Sequence, residues 1–288
     1  MFLGHAGFCL ETAEVVVVTD FWLSPRGAFD SSWFQFPRNH DLAPLVRKKL
    51  GADGRAKFVY VSHEHKDHFD PEFLATLTGL NFTYVVPRFR RTALRDLIAK
   101  LPSAGVVAVG DRGTVPIPGG FLKLYLDDTE LNRDSALLVR VGSGSFLNMN
   151  DCKLHDELER IAREDGPVDM LAAQFSGATW HPTCYDYSPE HYAEVSRKKM
   201  ISKFEAVARA IQTIGPRVYV PSAGPPCFLD PMLLPINFEP TSIFPHAWRF
   251  TAWLDRRLPQ CGTRWPVVIP GGSSTSTRAR FFIGSASR

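Results

Sequence analysis

The chain has 288 residues, 33 basic and 30 acidic for a net charge of +3, with 44% hydrophobic and 22% charged residues. That length buries a sizeable core, and the near balance of charge excludes a general attraction to nucleic acid or membrane surfaces. No apolar run approaches the roughly 18 residues of a membrane span and no secretory leader pattern opens the sequence, so a cytoplasmic location is the expectation.

In chain order, β-branched apolar runs predict strands at 8–12 (FCLET), 15–20 (VVVVTD), 57–62 (KFVYVS), 83–87 (TYVVP), 121–126 (FLKLYL), 135–141 (SALLVRV) and 218–221 (VYVP). Helical patterns are interleaved: PEFLATLTGL from 71, TALRDLIAKL from 92, HDELERIARE from 155, and a long one that starts at Ser188-Pro189 and stops at Gly215-Pro216. Strands mixed with helices in this order predict an α/β layered sandwich spanning residues 1–260. From 261 to 288 the chain turns to Gly, Ser, Thr and Arg, a composition that reads as a low-complexity, unstructured tail.

The five cysteines, Cys9, Cys152, Cys184, Cys227 and Cys261, form no C-x-x-C pair. Reduced thiols in the cytosol fit this usage better than a disulfide framework or a structural zinc site. The sequence also contains no C-x-H paired with C-x-x-H, the ligand pattern of a Rieske iron–sulfur cluster, so this chain is expected to carry no such relay.

One segment concentrates chemistry. The strand FVYVS runs directly into His63-x-His65-x-Asp67-His68. Alternation at a strand end points His63 and His65 to one side, and the following turn brings Asp67 and His68 back toward them. Imidazoles with a carboxylate suit zinc, iron or manganese. A zincin-type H-E-x-x-H helix does not fit, because position 67 is Asp and the segment leaves a strand.

Other candidates carry two readings each. Asp20, ending the VVVVT strand, can orient a ligand histidine or cap a turn, and Asp151 can bridge two metals or cap the helical pattern that follows. His181, in an aromatic Gly/Pro-rich loop, serves substrate contact or structure equally well, whereas His155 and His191 read as surface residues of helices. The basic run Arg197, Lys198, Lys199 and Lys203 is either a solvated helix face or an anionic substrate pocket.

The histidine cluster after a strand, with GHAGF at 4–8, VVTDFWLSP at 17–25 and NMND at 148–151, resembles the metallo-β-lactamase superfamily. The resemblance implies a four-layer αββα sandwich with metals at one edge of two sheets. It makes Asp20, with His5 of GHAGF, an orienting residue, Asp151 the carboxylate bridging two metals, and Asp67 the catalytic proton acceptor. Two histidines of the usual hydrolase pattern are missing. After FLKLYL the chain reads LDDTELNRDS, offering Asp127, Asp128 and Glu130, and after VYVP it reads SAGPPCFLDP, offering Asp230. Carboxylate in place of imidazole hardens a site and favours iron or manganese over zinc.

A closer resemblance follows from HAGFCLET, TDFWLSP, VSHEHKDH, LNMNDC and RKKMISKFEAVARAIQTIGPRVYVPSAG, which look like the metallo-β-lactamase-type domain of CMP-N-acetylneuraminate hydroxylases and their bacterial relatives. It implies an iron-dependent hydroxylase or monooxygenase module with one or two metal ions, an external electron-transfer protein, and a small-molecule substrate such as an anionic sugar-nucleotide contacted by His181, Lys198 and Lys199. Competing expectations are a metallo-hydrolase acting on an ester, lactone or phosphodiester, and a non-catalytic binding module of the same fold.

Overall fold

A computed structural model describes the chain apart from residues 52–53, 130–132, 178, 278–279 and 284–288, and describes the backbone but not the side chains of 274–283. Two six-stranded sheets form the centre. The first runs in simple sequence order: β1 (Phe2–Gly4), β2 (Gly7–Glu11), β3 (Val15–Thr19), β4 (Ala56–Tyr60), β5 (Thr83–Pro87) and β6 (Gly105–Val109). The second holds β7 (Thr114–Ile117), β8 (Gly120–Asp128), β9 (Arg133–Val141), β10 (Gly144–Asn148), β11 (Met170–Gln174) and β12 (Val218–Ser222), again each beside its sequence neighbour.

Three apolar layers follow from the two faces of each sheet. Between the sheets lie Phe8, Val15, Val17, Tyr60, Leu122, Leu137 and Phe146. The outer face of the first sheet, with Val16, Val18 and Val59, packs on Val46 and Leu50 of α1 (Ala43–Gly51), Phe73 and Leu74 of α2 (Pro71–Ala75) and Leu94 and Ile98 of α3 (Ala93–Ile98). The outer face of the second sheet packs on α4 (Leu158–Asp165), α5 (Pro189–Ile214) and α6 (Ala247–Arg257), through Ile161, Phe204, Ile211 and Phe250. The result is the four-layer αββα sandwich. The valine run of β3 is buried along its whole length because it is covered on both faces, which is why it shows no alternation in sequence.

The ends of α5 follow from its caps. Ser188 Oγ accepts from the His191 N–H at 3.3 Å with Pro189 in the first turn, and Gly215 closes the helix in the left-handed region at φ 59°. The first part of the compositional tail is ordered by the sheet edges. Arg264 bridges Val218, with Tyr219 N–H donating to Arg264 O at 2.8 Å, while Phe2 and Gly272 pair through a 2.9 Å bond. An expected tail starting at 261 therefore does not hold for 263–272: strands β1 and β12 are open edges whose backbone groups need partners, and composition does not register that demand. Beyond it, β13 (Ser274–Thr277) and β14 (Arg280–Ile283) pair antiparallel.

Candidate metal centre

Every polar residue of the centre hangs on a strand end. His5 sits in the turn between β1 and β2, Asp20 follows β3, residues 62–68 follow β4, Asp134 lies near the start of β9, and Asn150 and Asp151 follow β10. These ends meet at one edge of the sandwich. His68 N–H and Phe69 N–H both donate to His65 O, at 3.0 and 2.8 Å, so the chain after β4 curls back on itself. Asp70 fastens that curl: its carboxylate accepts from Phe73 N–H, starting α2, and from Leu23 and Ser24 N–H in the loop after β3, at 2.7–3.0 Å.

Four non-glycine residues around the centre hold left-handed backbone: His5 (φ 49°), Asp20 (φ 33°), Asn150 (φ 50°) and Ala223 (φ 52°). Such conformations cost energy for residues bearing a Cβ and persist only where the surroundings impose them. Here Ala223 N–H donates to His5 O at 2.9 Å, tying two of them together across the sheets.

The donor atoms fall into two groups that share His68. His5, Asp67 and His68 form one, and His63, His68 and Asp151 the other, with the atoms of each within 4.8 Å of one another. His5 Nε2 lies 3.0 Å from Asp67 Oδ2, and His68 Nε2 lies 3.8 Å from Asp67 Oδ2 and 3.3 Å from Asp151 Oδ1. His63 Nε2 meets His65 Nδ1 at 2.8 Å, and His63 Nδ1 lies 3.2 Å from Asp134 Oδ1. Asp20 stands behind: its Oδ1 accepts from Ser62 N–H at 2.7 Å, and its Oδ2 lies 3.5 Å from His68 Nδ1. That leaves His68 Nε2 facing the centre.

The electrostatics of this cluster call for a cation. Burial disfavours charge on His68, yet the carboxylates of Asp151 and Asp67 outweigh it and hold the imidazole pKa well above its ordinary value. For His63, burial is likewise overcome by Asp134. Asp67 and Asp151 are pulled below the usual carboxylate range against their burial, chiefly by His68. Burial and the neighbouring His63 lower His65. Buried Asp134 is raised, mainly by desolvation.

Whether a metal fits is decided by the atoms left over. His5 Nε2, His68 Nε2, Asp67 Oδ1, Asp151 Oδ1 and Asp20 Oδ2 are all shielded from solvent yet make no aligned hydrogen bond. Buried polar atoms are expensive to leave so. Ligands about 2.0–2.2 Å from a common ion lie at most about 4.4 Å apart, and the 3.0, 3.8 and 3.3 Å separations here fall inside that; imidazole with carboxylate suits zinc, iron or manganese. The residues fit one or two metal ions.

Not every expected ligand is in place. Asp128 turns away, accepting from Arg90 N–H at 2.8 Å, because the end of β8 overhangs the loop after β5. Asp127 is the ladder partner of Asp134 but joins neither donor group. Glu130 lies outside the described residues. Asp230 is exposed and accepts from Met232 N–H at 2.8 Å, capping a turn. Asp151 caps no helix, since α4 begins only at Leu158.

Nor do the expected substrate residues reach the centre. His181 is buried with Nε2 2.7 Å from Ser196 Oγ and its ring against Tyr187 and Tyr192, so it packs the 180s loop onto α5. Lys198 pairs with Glu194 at 2.6 Å on the exposed face of α5, and Lys199 is exposed beside it. Lys203, one turn on, is the member of that run that approaches the centre: it donates to Gln174 Oε1 and lines, with Asp151 and His155, a cavity of about 10 Å³, room for one water.

Asp134 is the ligand candidate that the strand pattern concealed. The run SALLVRV starts one residue later, so Asp134 reads as part of the preceding turn, whereas β9 begins at Arg133. Its signal is a carboxylate directly abutting a buried strand, on the sheet edge where the histidines lie.

Solved structures share this architecture. A metallo hydrolase from Ignicoccus hospitalis superposes with a TM-score of 0.59 at 15% identity, covering 94% of each chain. The chain has the metallo-β-lactamase fold. The diiron β-hydroxylase CmlA from Streptomyces venezuelae shares the fold with a TM-score of 0.58 at 17% identity, over 93% of this chain and 52% of that one.

In sequence, a Mycobacterium tuberculosis protein named as a Rieske 2Fe-2S iron-sulfur protein is 33% identical over 285 residues, 96% of this chain and 53% of that protein. The cytidine monophosphate-N-acetylneuraminic acid hydroxylase of Asterias rubens is 21% identical over 236 residues, 76% of this chain and 33% of that protein. The chain thus spans about half the length of the mycobacterial relatives it matches. No protein-family model matches it. The solved structures share the fold, and within it the two donor groups fit metal ions.

Proposed function

We propose that the chain is the oxygenating module of an iron-dependent hydroxylase, acting on a small-molecule substrate with electrons supplied from outside the segment described here. The observation that carries this reading is the buried Asp134 carboxylate beside His63, in the stretch after FLKLYL that contains no histidine. An added carboxylate makes the donor set harder and favours iron or manganese over zinc. The mycobacterial relatives' name as Rieske 2Fe-2S iron-sulfur proteins and that of CmlA as a diiron β-hydroxylase support the same reading.

The reaction balances as substrate C–H plus O₂, two electrons and two protons giving C–OH and water, with a one-electron iron–sulfur carrier as reductant. Bound iron would supply the activation of O₂. The two donor groups, His5, Asp67 and His68 and His63, His68 and Asp151, would hold the ions, with His65 and Asp134 beside His63 as further donors. Asp20 and Ser62 fix the ring of His68 and the turn that carries it. Asp67 Oδ1, buried and without an aligned partner, would hold a proton at the centre. Five unpaired cysteines suit a reducing, cytosolic compartment.

Anaerobic reconstitution with Fe²⁺, metal analysis and O₂ uptake test this reading. Iron at one to two equivalents per chain and O₂ uptake that depends on an added reductant are expected, both lost in Asp151→Ala. Stoichiometric zinc, with iron refused and no reductant-dependent uptake, overturns it. The buried Asp67 Oδ1 also suits the hydrolytic alternative, in which it takes the proton of a water; ester, lactone or phosphodiester turnover without reductant, abolished by Asp67→Ala, would put hydrolysis in its place.

A further inference from the structure

The centre has an apolar wall that the basic residues of α5 do not explain. After β3 the chain makes a tight hairpin closed by an antiparallel bridge between Ala28 and Trp33, with Ala28 N–H donating to Trp33 O at 2.9 Å and Trp33 N–H to Ala28 O at 3.1 Å. Its tip consists of Phe29, Asp30 and Ser31, at φ 51°, 55° and 67°, three consecutive non-glycine residues in the left-handed region. Single residues visit that region; a run of three bearing side chains is held there by its surroundings.

What the hairpin achieves is the placement of one ring. Phe29 lies edge-on to Trp33 with centroids 4.9 Å apart, and 6.4 Å from the ring of His65, the most exposed histidine of the centre. Trp33 in turn meets Phe228 and Phe244 at 6.4 Å each, and Phe34 bridges Cys227, so the hairpin is strapped to the segment after β12. Trp33 is half-buried against the buried Phe228 and Phe244, and Phe29 itself remains 36% exposed. An aromatic ring held by strained backbone, backed by packed aromatics, partly exposed and beside the accessible histidine, is suited to be covered by something apolar. Of the α5 cations, Lys198 is tied to Glu194 on the outer face and Lys203 is engaged by Gln174.

We propose that Phe29, buttressed by Trp33, is a substrate-contacting, specificity-determining residue of the centre and selects an apolar group of aromatic size beside His65, rather than an anionic sugar-nucleotide. The proposal rests on the metal-centre reading above.

The probes are two metal-chelating hydroxamates that differ only in the attached group, acetohydroxamate and benzohydroxamate. Their affinities for the Mn²⁺-loaded protein are measured by calorimetry and referenced to their affinities for Mn²⁺ in solution. Wild type is expected to prefer benzohydroxamate by about tenfold beyond the solution ratio, roughly what burying one face of a ring supplies. Phe29→Ala should bring the preference down to the solution ratio at unchanged metal content, and Phe29→Leu should retain part of it. No excess preference in wild type, or full preference in Phe29→Ala, overturns the proposal while leaving the metal centre standing. A protein that holds no metal, or binds neither probe, overturns the metal centre and the proposal with it.

Discussion

Asp134 Oδ1 lies 3.2 Å from His63 Nδ1, joining the start of β9 in one sheet to the end of β4 in the other. The pair is buried, and Tyr60 supports it from the core side by bonding its hydroxyl to Ser135 O at 2.9 Å. If Asp134 sets the hardness of the centre, Asp134→His should restore an imidazole and turn metal choice. Zn²⁺ affinity relative to Mn²⁺ is expected to rise at least about tenfold in competition followed by elemental analysis; an unchanged ratio would remove Asp134 from the ligand set.

Asp20 stands behind His68, on the side of the ring away from the donor groups. Its two oxygens engage Ser62 N–H and the Nδ1 side of His68. Asp20→Asn should therefore weaken metal binding by about 10–100-fold while the fold, read by circular dichroism, stays intact.

The centre also predicts a pH dependence in the metal-free protein. Burial opposes charge on His68, but Asp151 and Asp67 raise its folded pKa well above the ordinary value. Its contribution to stability is thus complete below the unfolded imidazole value of about 6.5 and is lost as pH rises through the higher folded one. Asp67 and Asp151 are depressed in the folded chain, so their contribution is present above about pH 4 and lost as pH falls through the lower folded values. Thermal unfolding with a chelator should show the cluster most stabilising between about pH 4 and 6.5. Adding Mn²⁺ should lift the alkaline limb most, because the ion takes the place of the His68 proton.

Residues outside the donor groups supply the contrast. Asp128 faces Arg90 and Asp230 caps an exposed turn. Asp128→Ala and Asp230→Ala should leave metal stoichiometry unchanged, whereas His68→Ala, which removes the atom common to both groups, should lose both metals. Metal loss in Asp230→Ala would reinstate that carboxylate.

Much of the architecture is legible in local pattern. The Val15–Thr19 run, the Ser188-Pro189 start and Gly215 stop of α5, and the histidines leaving β4 are each dictated by residues within a few positions of one another. Strands such as β6, β7 and β11 carry short or weakly alternating patterns, and pairing with an already formed neighbour selects them. The long helix shows its capping residues plainly, but not which of its lysines turns toward Gln174 and which faces solvent.

By itself, then, the sequence determined the sandwich, the motif from His63 to His68, and the strand-end positions of Asp20 and Asp151, because periodicity, capping and strand ends are local properties of the chain. Only the tertiary structure decided which carboxylate faces His63. Asp127, Asp128 and Asp134 lie within eight positions of one another in the same acidic stretch, and the register of β8 on β9 sends one to Arg90 and another into the centre. The same holds for Phe29, 36 positions before His65, whose place beside it comes from a hairpin pinned by aromatic packing some 200 residues further along the chain.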